Sequence, residues 1–297
     1  MTAPPRWQLY LRLGRVSNLP TVWSNVLAGY VLGGAAVRAG SVLALGIAIS
    51  SFYVGGMFLN DAFDREIDAR ERPERPIPAG LVSAEEVTRV GFGLLGAGLF
   101  ILVVHALVTG RAAWPSIGGG VALGGAIVVY DLWHKGNPAS PLLMGLCRML
   151  VYVTAAVATS GRLGAPVLGG AVVLLSYLVG LTYVAKQENL REVKNLWPLL
   201  FLVAPFVYAP ALGARAFATR ASALLIYLLF AAWVGHALSI LRARQKGSIP
   251  RAVVSLIAGI SLCDALLIAT AGSSSVAALA VLAFPATLSL QRYVSGT

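Results

Sequence analysis

Eight of the chain's twelve carboxylates fall between residues 61 and 86: Asp61, Asp64, Glu66, Asp68, Glu71, Glu74, Glu85 and Glu86. The first six belong to the stretch NDAFDREIDARERPERPIPAG, which begins where an apolar run ends, so its first turns are expected to continue a helix. At 100° per residue, Asn60, Asp64, Asp68 and Asp61 fall at about 0°, 40°, 80° and 100°. Four oxygen-bearing side chains then share one stripe. Carboxylates this close repel unless cations lie between them, and hard oxygen ligands suit Mg²⁺. Magnesium completes its shell with waters and substrate phosphates, so Asp61, Asp64 and Asp68 are candidate metal ligands and catalytic residues acting on a phosphate-bearing substrate. Arg72 and Arg75 follow, set among Pro73, Pro76 and Pro78, which stop the helix. Their guanidinium groups suit bidentate contact with phosphate. The competing reading is a solvated loop whose mixed charges serve topology alone.

Arg148 stands about ten residues into an apolar run, roughly 15 Å deep at 1.5 Å per residue. An ionisable residue at that depth faces a cavity or a partner. It is a candidate for holding an acceptor's carboxylate or a phosphate oxygen, or else it pairs with an acid such as Asp264. Asp131, near the end of its run, is expected to be solvated. His105 and His236 stand alone in their runs and are read as core or interfacial residues. Cys147 and Cys263 are expected to be buried free thiols, since two cysteines within apolar helices build no disulfide framework. No glycine-rich phosphate loop of the Walker type is present.

The elements that must position these residues are membrane helices. The chain is 58% hydrophobic and 12% charged, far from soluble composition. A spanning helix needs roughly 20 mostly apolar residues. Candidate spans lie near 19–36, 41–60, 88–109, 112–133, 138–160, 164–187, 196–212, 219–241, 251–271 and 275–291, giving nine or ten helices in one domain over 1–297. The last two are separated by Gly272 and Ser273 to Ser275, which read as a turn or a kink. With the N-terminus inside, seventeen Lys and Arg residues collect on the inner side and five on the outer: Arg38, Arg111, Arg162, Arg215 and Arg220. That bias predicts an integral, multi-pass protein of the cell inner membrane with the acidic loop cytoplasmic. It also makes the net charge of +11 a topology signal. Attraction to anionic membrane lipids follows from it. Nucleic acid is not an expected partner, because the basic residues are spread over many short loops. A secretory signal peptide is not expected, because another span follows the first apolar stretch.

The run Asn60 to Asp68 matches the NDxxDxxxD signature of the UbiA superfamily of intramembrane prenyltransferases, and RPERPIPAG, Arg72 to Gly80, resembles that family's following loop. RVSNLPTVWSNVLAG from Arg15 resembles its first helix, and Tyr130 with His134 and Lys135 resembles the Tyr and basic pair that close its fourth. HKGNPASPLLMGLCRMLVY with TYVAKQE resembles the family's EboC-like branch. The resemblance implies an all-α, polytopic transmembrane helical bundle. It also implies Mg²⁺-dependent transfer of a prenyl group from a prenyl diphosphate to an aromatic or other lipophilic acceptor. Asn60, Arg72, Arg75, Lys135 and Arg148 would bind substrate. The family's second acidic motif, usually aspartates spaced as DxxxD, is replaced here by TYVAKQENLREVKN. In it Glu188 and Glu192 lie four apart on one helical face with Asn195. They are candidates for a second metal cluster; the alternative is a surface pair balanced by Arg191 and Lys194. A rival of another class is a lipid-diphosphate binding or transport protein that kept the fold and one diphosphate site but lost or altered turnover.

Overall fold

The computed structural model describes residues 5–187, 195–219 and 221–294, with the backbone alone for 212–219. Glu188 and Glu192, with Arg191 and Lys194, lie outside the described residues, as does Arg220. Among the described residues every regular element is helical. In order these are α1 (Arg6–Leu13), α2 (Leu19–Leu32), α3 (Ala39–Phe63), α4 (Arg65–Glu71), α5 (Ala84–Val108), α6 (Ala113–Trp133), α7 (Ser140–Ser160), α8 (Ala165–Ala185), α9 (Ala204–Thr219), α10 (Ala221–Arg242), α11 (Ser248–Thr270) and α12 (Ser274–Leu290). A 3₁₀ turn, Val16–Asn18, precedes α2, and another, Trp197–Val203, precedes α9.

Each expected span appears as a helix, but among the described residues only seven helices are long and apolar enough to cross a membrane: α3, α5, α6, α7, α8, α10 and α11. The other three are shorter. Leu19–Leu32 has 14 residues and stops at Gly33 and Gly34, the latter at φ +74°. Trp197–Ala211 begins as a 3₁₀ segment, and Ser274–Leu290 has 17 residues. Gly272, at φ +100°, makes the junction between α11 and α12 a turn. Length, apolar composition and number of helices together make this an integral, multi-pass membrane protein.

Local signals set the helix ends. Ser83 caps α5, its Oγ accepting from the Glu86 N–H at 3.1 Å, and Glu85 and Glu86 occupy the positive first turn. Gly161 closes α7 in the left-handed conformation that a side chain would resist.

α11 is the central helix. Its residues are buried on every side, against α2, α8, α10 and α12. α2 packs also on α7, and α3 packs on α5 so closely that a Cβ on Gly55 would stand 2.8 Å from the Gly91 carbonyl oxygen. α1 lies at one end of the bundle, its Leu9 and Leu13 buried with Phe58 and Ala62 of α3. Arg6 reaches Glu86 at 3.2 Å, and the Tyr10 hydroxyl donates to the same carboxylate, tying α1 to α5.

Candidate active site

The polar stripe forms as helical geometry requires, with a joint in it. α3 ends at Phe63 and Asp64 caps it, but the ladder carries on: the Asp64 N–H bonds Asn60 O at 3.0 Å and the Asp68 N–H bonds Asp64 O at 2.8 Å. Asn60, Asp61, Asp64 and Asp68 are 6%, 7%, 4% and 2% exposed, whereas Glu66, Glu71, Glu74 and Glu85 are exposed. The acidic cluster thus divides into a buried stripe facing the protein and a solvated set facing away.

Each carboxylate of the stripe meets cations. Asp61 accepts from Arg15 at 3.1 Å and Arg75 at 3.3 Å; Arg75 also reaches Asp68 at 2.7 Å. Asp64 faces His134 Nε2 at 3.3 Å and Lys135 Nζ at 3.5 Å. Burial raises the Asp64 pKa, but His134 and Lys135 outweigh it and hold that carboxyl below its ordinary value. Asn60 donates to Asp131 Oδ1 at 3.2 Å. Asp131 is therefore not solvated as expected: it is 4% exposed, because α6 packs against α3 and Asn60 meets its carboxylate. Its Oδ2 is buried with no protein partner.

Asn60, Asp64, Asp131, His134, Lys135, Arg15 and Arg75 form the polar end of a cavity of about 340 Å³ between α2, α3, α6, α7, α8 and α11, while Asp61 and Asp68 lie behind Arg15 and Arg75 and do not line it. Six cationic side chains line it, Arg15, Arg72, Arg75, Lys135, Arg148 and Lys186, against two carboxylates, Asp64 and Asp131. Further in, the wall is apolar: Val22, Ile49, Phe52, Leu123, Ile127, Val151, Leu181 and Ile257. An anionic head with an apolar tail matches both halves.

Arg148 lies on the cavity wall with its guanidinium 5.3 Å from the Tyr53 ring centroid. It does not pair directly with Asp264. It donates to Asn25 Oδ1 at 2.8 Å and Thr21 Oγ1 at 3.2 Å, and Asn25 in turn donates to Asp264. Asp264, fully buried, also accepts from Ser24 and from Tyr152 at 2.5 Å.

Arg15, Asn25 and Lys186 also belong to the site or its support. Arg15 is held at φ +43°, a left-handed conformation that costs a non-glycine residue about 1 kcal/mol, and this aims its side chain at Asp61. Lys186 donates to Asn137 O at 2.7 Å and Ser140 Oγ at 2.9 Å, fastening α8 to the start of α7 at the mouth. Cys147 and Cys263 are free thiols.

No three His, Cys, Asp or Glu side chains among the described residues are grouped closely enough to hold a metal ion by themselves. Magnesium does not require such a cage, since one or two carboxylates suffice when phosphate oxygens complete its shell. The donor chemistry of Asp61, Asp64 and Asp68 fits that shared kind of site.

Among known proteins, the UbiA prenyltransferase family model matches residues 19–253. The digeranylgeranylglyceryl phosphate synthase of Ignicoccus hospitalis is 36% identical over 131 residues, 44% of this chain and 40% of that protein. The chain spans less than half the length of such curated relatives. Two solved structures share the fold. A UbiA homolog from Aeropyrum pernix K1 has a TM-score of 0.65 at 17% identity, covering 90% of this chain and 98% of that one. A UbiA homolog from Archaeoglobus fulgidus bound to GPP and Mg²⁺ has a TM-score of 0.59 at 14% identity, covering 90% and 99%.

Proposed function

Because the chain belongs to the UbiA prenyltransferase family, we propose that it transfers a prenyl group from a prenyl diphosphate to a lipophilic acceptor within the membrane, with Mg²⁺ as cofactor. The observation that carries this reading is the cavity's division into a cationic, carboxylate-flanked mouth and an apolar interior. The Archaeoglobus homolog's ligands, GPP and Mg²⁺, have that same division of chemistry. We place the mouth on the cytoplasmic side of the cell inner membrane, following the excess of Lys and Arg there, and treat residues 1–297 as one functional unit.

In this reading Asp61, Asp64 and Asp68 would hold Mg²⁺, and Glu188 and Glu192, outside the described residues, would supply a second set of oxygens. Bound Mg²⁺ would lower the charge on the departing diphosphate. Arg72, Arg75 and Lys135 bind the phosphate oxygens and stabilise the negative charge that develops as the bond between prenyl carbon 1 and oxygen breaks. Asn60 fixes the stripe's first turn by its bond to Asp131. Phe52, Leu123, Val151 and Ile257 keep water from the allylic cation that remains. The acceptor attacks carbon 1 and gives up a proton. Arg148, inside the apolar wall and oriented by Thr21, Asn25 and Tyr53, would hold an anionic group on that acceptor.

The test is incubation of the purified protein with radiolabelled geranylgeranyl diphosphate, Mg²⁺ and a panel of aromatic and lipid acceptors. Label moving to one acceptor with release of diphosphate is expected. Tight binding of the diphosphate with no product from any acceptor would replace this reading with lipid-diphosphate binding or transport.

A further inference from the structure

The bundle has a second polar cavity at the end away from the carboxylate stripe. It is closed by the connections α2–α3, α5–α6 and α7–α8, whereas the stripe lies among α3–α5, α6–α7 and the end of α8. Its volume is about 690 Å³, and Arg38, Arg111 and Arg162 line it, one from each connection. No Asp or Glu occurs in any of these three connections. Three exposed arginines thus line one cavity, and among the described residues that line it there is no Asp or Glu.

Backbone bonds pin each arginine-bearing loop. The Tyr30 hydroxyl donates to Ala36 O at 3.0 Å and accepts from the Arg38 N–H at 3.3 Å. Gly110, at φ +66°, turns the chain so that the Arg111 N–H bonds Ala106 O at 2.8 Å, beside the last turn of α5. The Ser160 hydroxyl donates to Arg162 O at 3.1 Å. A separate observation points to a ligand. His105, 6% exposed, lines the same cavity, and neither of its ring nitrogens has a partner in the protein. A buried imidazole left unbonded is costly unless something else completes it.

We propose that this cavity binds a phosphate-bearing anion, held by the forks of Arg38, Arg111 and Arg162, with His105 donating a ring N–H. The site is separate from the prenyl diphosphate cavity and stands whether or not that reading holds. Its ligand is either a phospholipid headgroup of that leaflet or a free phosphate compound; the two present the same oxygens to the arginines.

The native protein and an Arg38→Gln/Arg111→Gln/Arg162→Gln variant are titrated with inorganic phosphate and, separately, with dioctanoyl phosphatidylglycerol, read by native mass spectrometry and by thermal shift. Because the other cavity also carries arginines, the readout is the difference between the two proteins. At least one probe is expected to bind the variant about tenfold more weakly, a change of about 1.4 kcal/mol. A difference with phosphate assigns a free ligand; a difference with the lipid alone assigns a headgroup. Equal binding of both probes by both proteins overturns the proposal. Should the triple variant not fold, the exposed Arg162→Gln alone replaces it, with equality again overturning the site. His105→Phe, which keeps a ring but no donor, is expected to weaken the same probe about threefold.

Discussion

Arg148 and Asp264 are joined without touching: Asn25 accepts from Arg148 at 2.8 Å and donates to the two Asp264 oxygens at 2.9 and 2.8 Å. One amide therefore serves a cation on the cavity wall and a carboxylate inside the bundle. Asn25→Ala removes all three bonds and leaves a partly buried guanidinium and a buried carboxyl short of a partner. The expected loss is about 3 kcal/mol, read as a lowered midpoint of thermal unfolding in detergent. An unchanged midpoint would show that Arg148 and Asp264 find each other directly.

The carboxylates of the stripe separate by what they hold. Asp61 receives two arginines whose side chains are 18% and 17% exposed; Arg75 keeps Asp68 at 2.7 Å, so Asp61→Ala strands Arg15 and is expected to cost about 3 kcal/mol as well as activity. Asp64 faces Lys135, which is 40% exposed and can turn to water. Asp64→Ala should abolish diphosphate-dependent turnover while the protein stays folded, and withdrawing Mg²⁺ should do the same. Glu74→Gln, on the solvated side of the cluster, should change neither. Assays of turnover and unfolding on the three variants check the separation; full turnover in Asp64→Ala would remove the carboxylates from the mechanism.

What the sequence shows of this site is what local geometry determines. The stripe of Asn60, Asp61, Asp64 and Asp68 follows from helical spacing alone, and the structure keeps it across the joint at Asp64. The apolar runs likewise mark the helices, though not their lengths, because Gly33, Gly34 and the 3₁₀ turn before α9 shorten two of them. The partners of the stripe come from remote segments brought in by packing. Arg15 precedes Asp61 by 46 residues and His134 follows Asp64 by 70. Nothing in the local pattern at Asp131 shows that Asn60 of another helix will cover it. Asn25 reads as one polar residue in an apolar helix until Arg148 and Asp264 are placed on either side.

Close helix approach makes a prediction that is independent of chemistry. A Cβ on Gly29 would stand 2.6 Å from the Tyr152 carbonyl oxygen, on backbone that cannot turn aside, while one on Gly125 meets nothing within 4 Å. Gly29→Ala must push α2 from α7 and is expected to cost about 2 kcal/mol. Gly125→Ala adds only helix propensity and should leave stability equal or raise it by about 0.5 kcal/mol. Paired unfolding curves test the contrast, and equal midpoints would contradict the α2–α7 contact.

The second acidic segment gives the most exposed prediction, since Glu188 and Glu192 stand where the family pattern has aspartates. Glutamine keeps their size and polarity but removes the charge that holds a cation. If they complete a second metal site, Glu188→Gln and Glu192→Gln should each weaken prenyl diphosphate binding and raise the Mg²⁺ concentration needed for half-maximal activity. If they are a surface pair with Arg191 and Lys194, each change should cost at most about 1 kcal/mol of stability and leave metal dependence alone. The Mg²⁺ titration separates the two, because a surface pair has no route to the metal requirement. A third result has its own meaning. Tight Mg²⁺-dependent binding that needs only Asp61, Asp64 and Asp68, without turnover in the native protein, would favour lipid-diphosphate binding or transport over prenyl transfer.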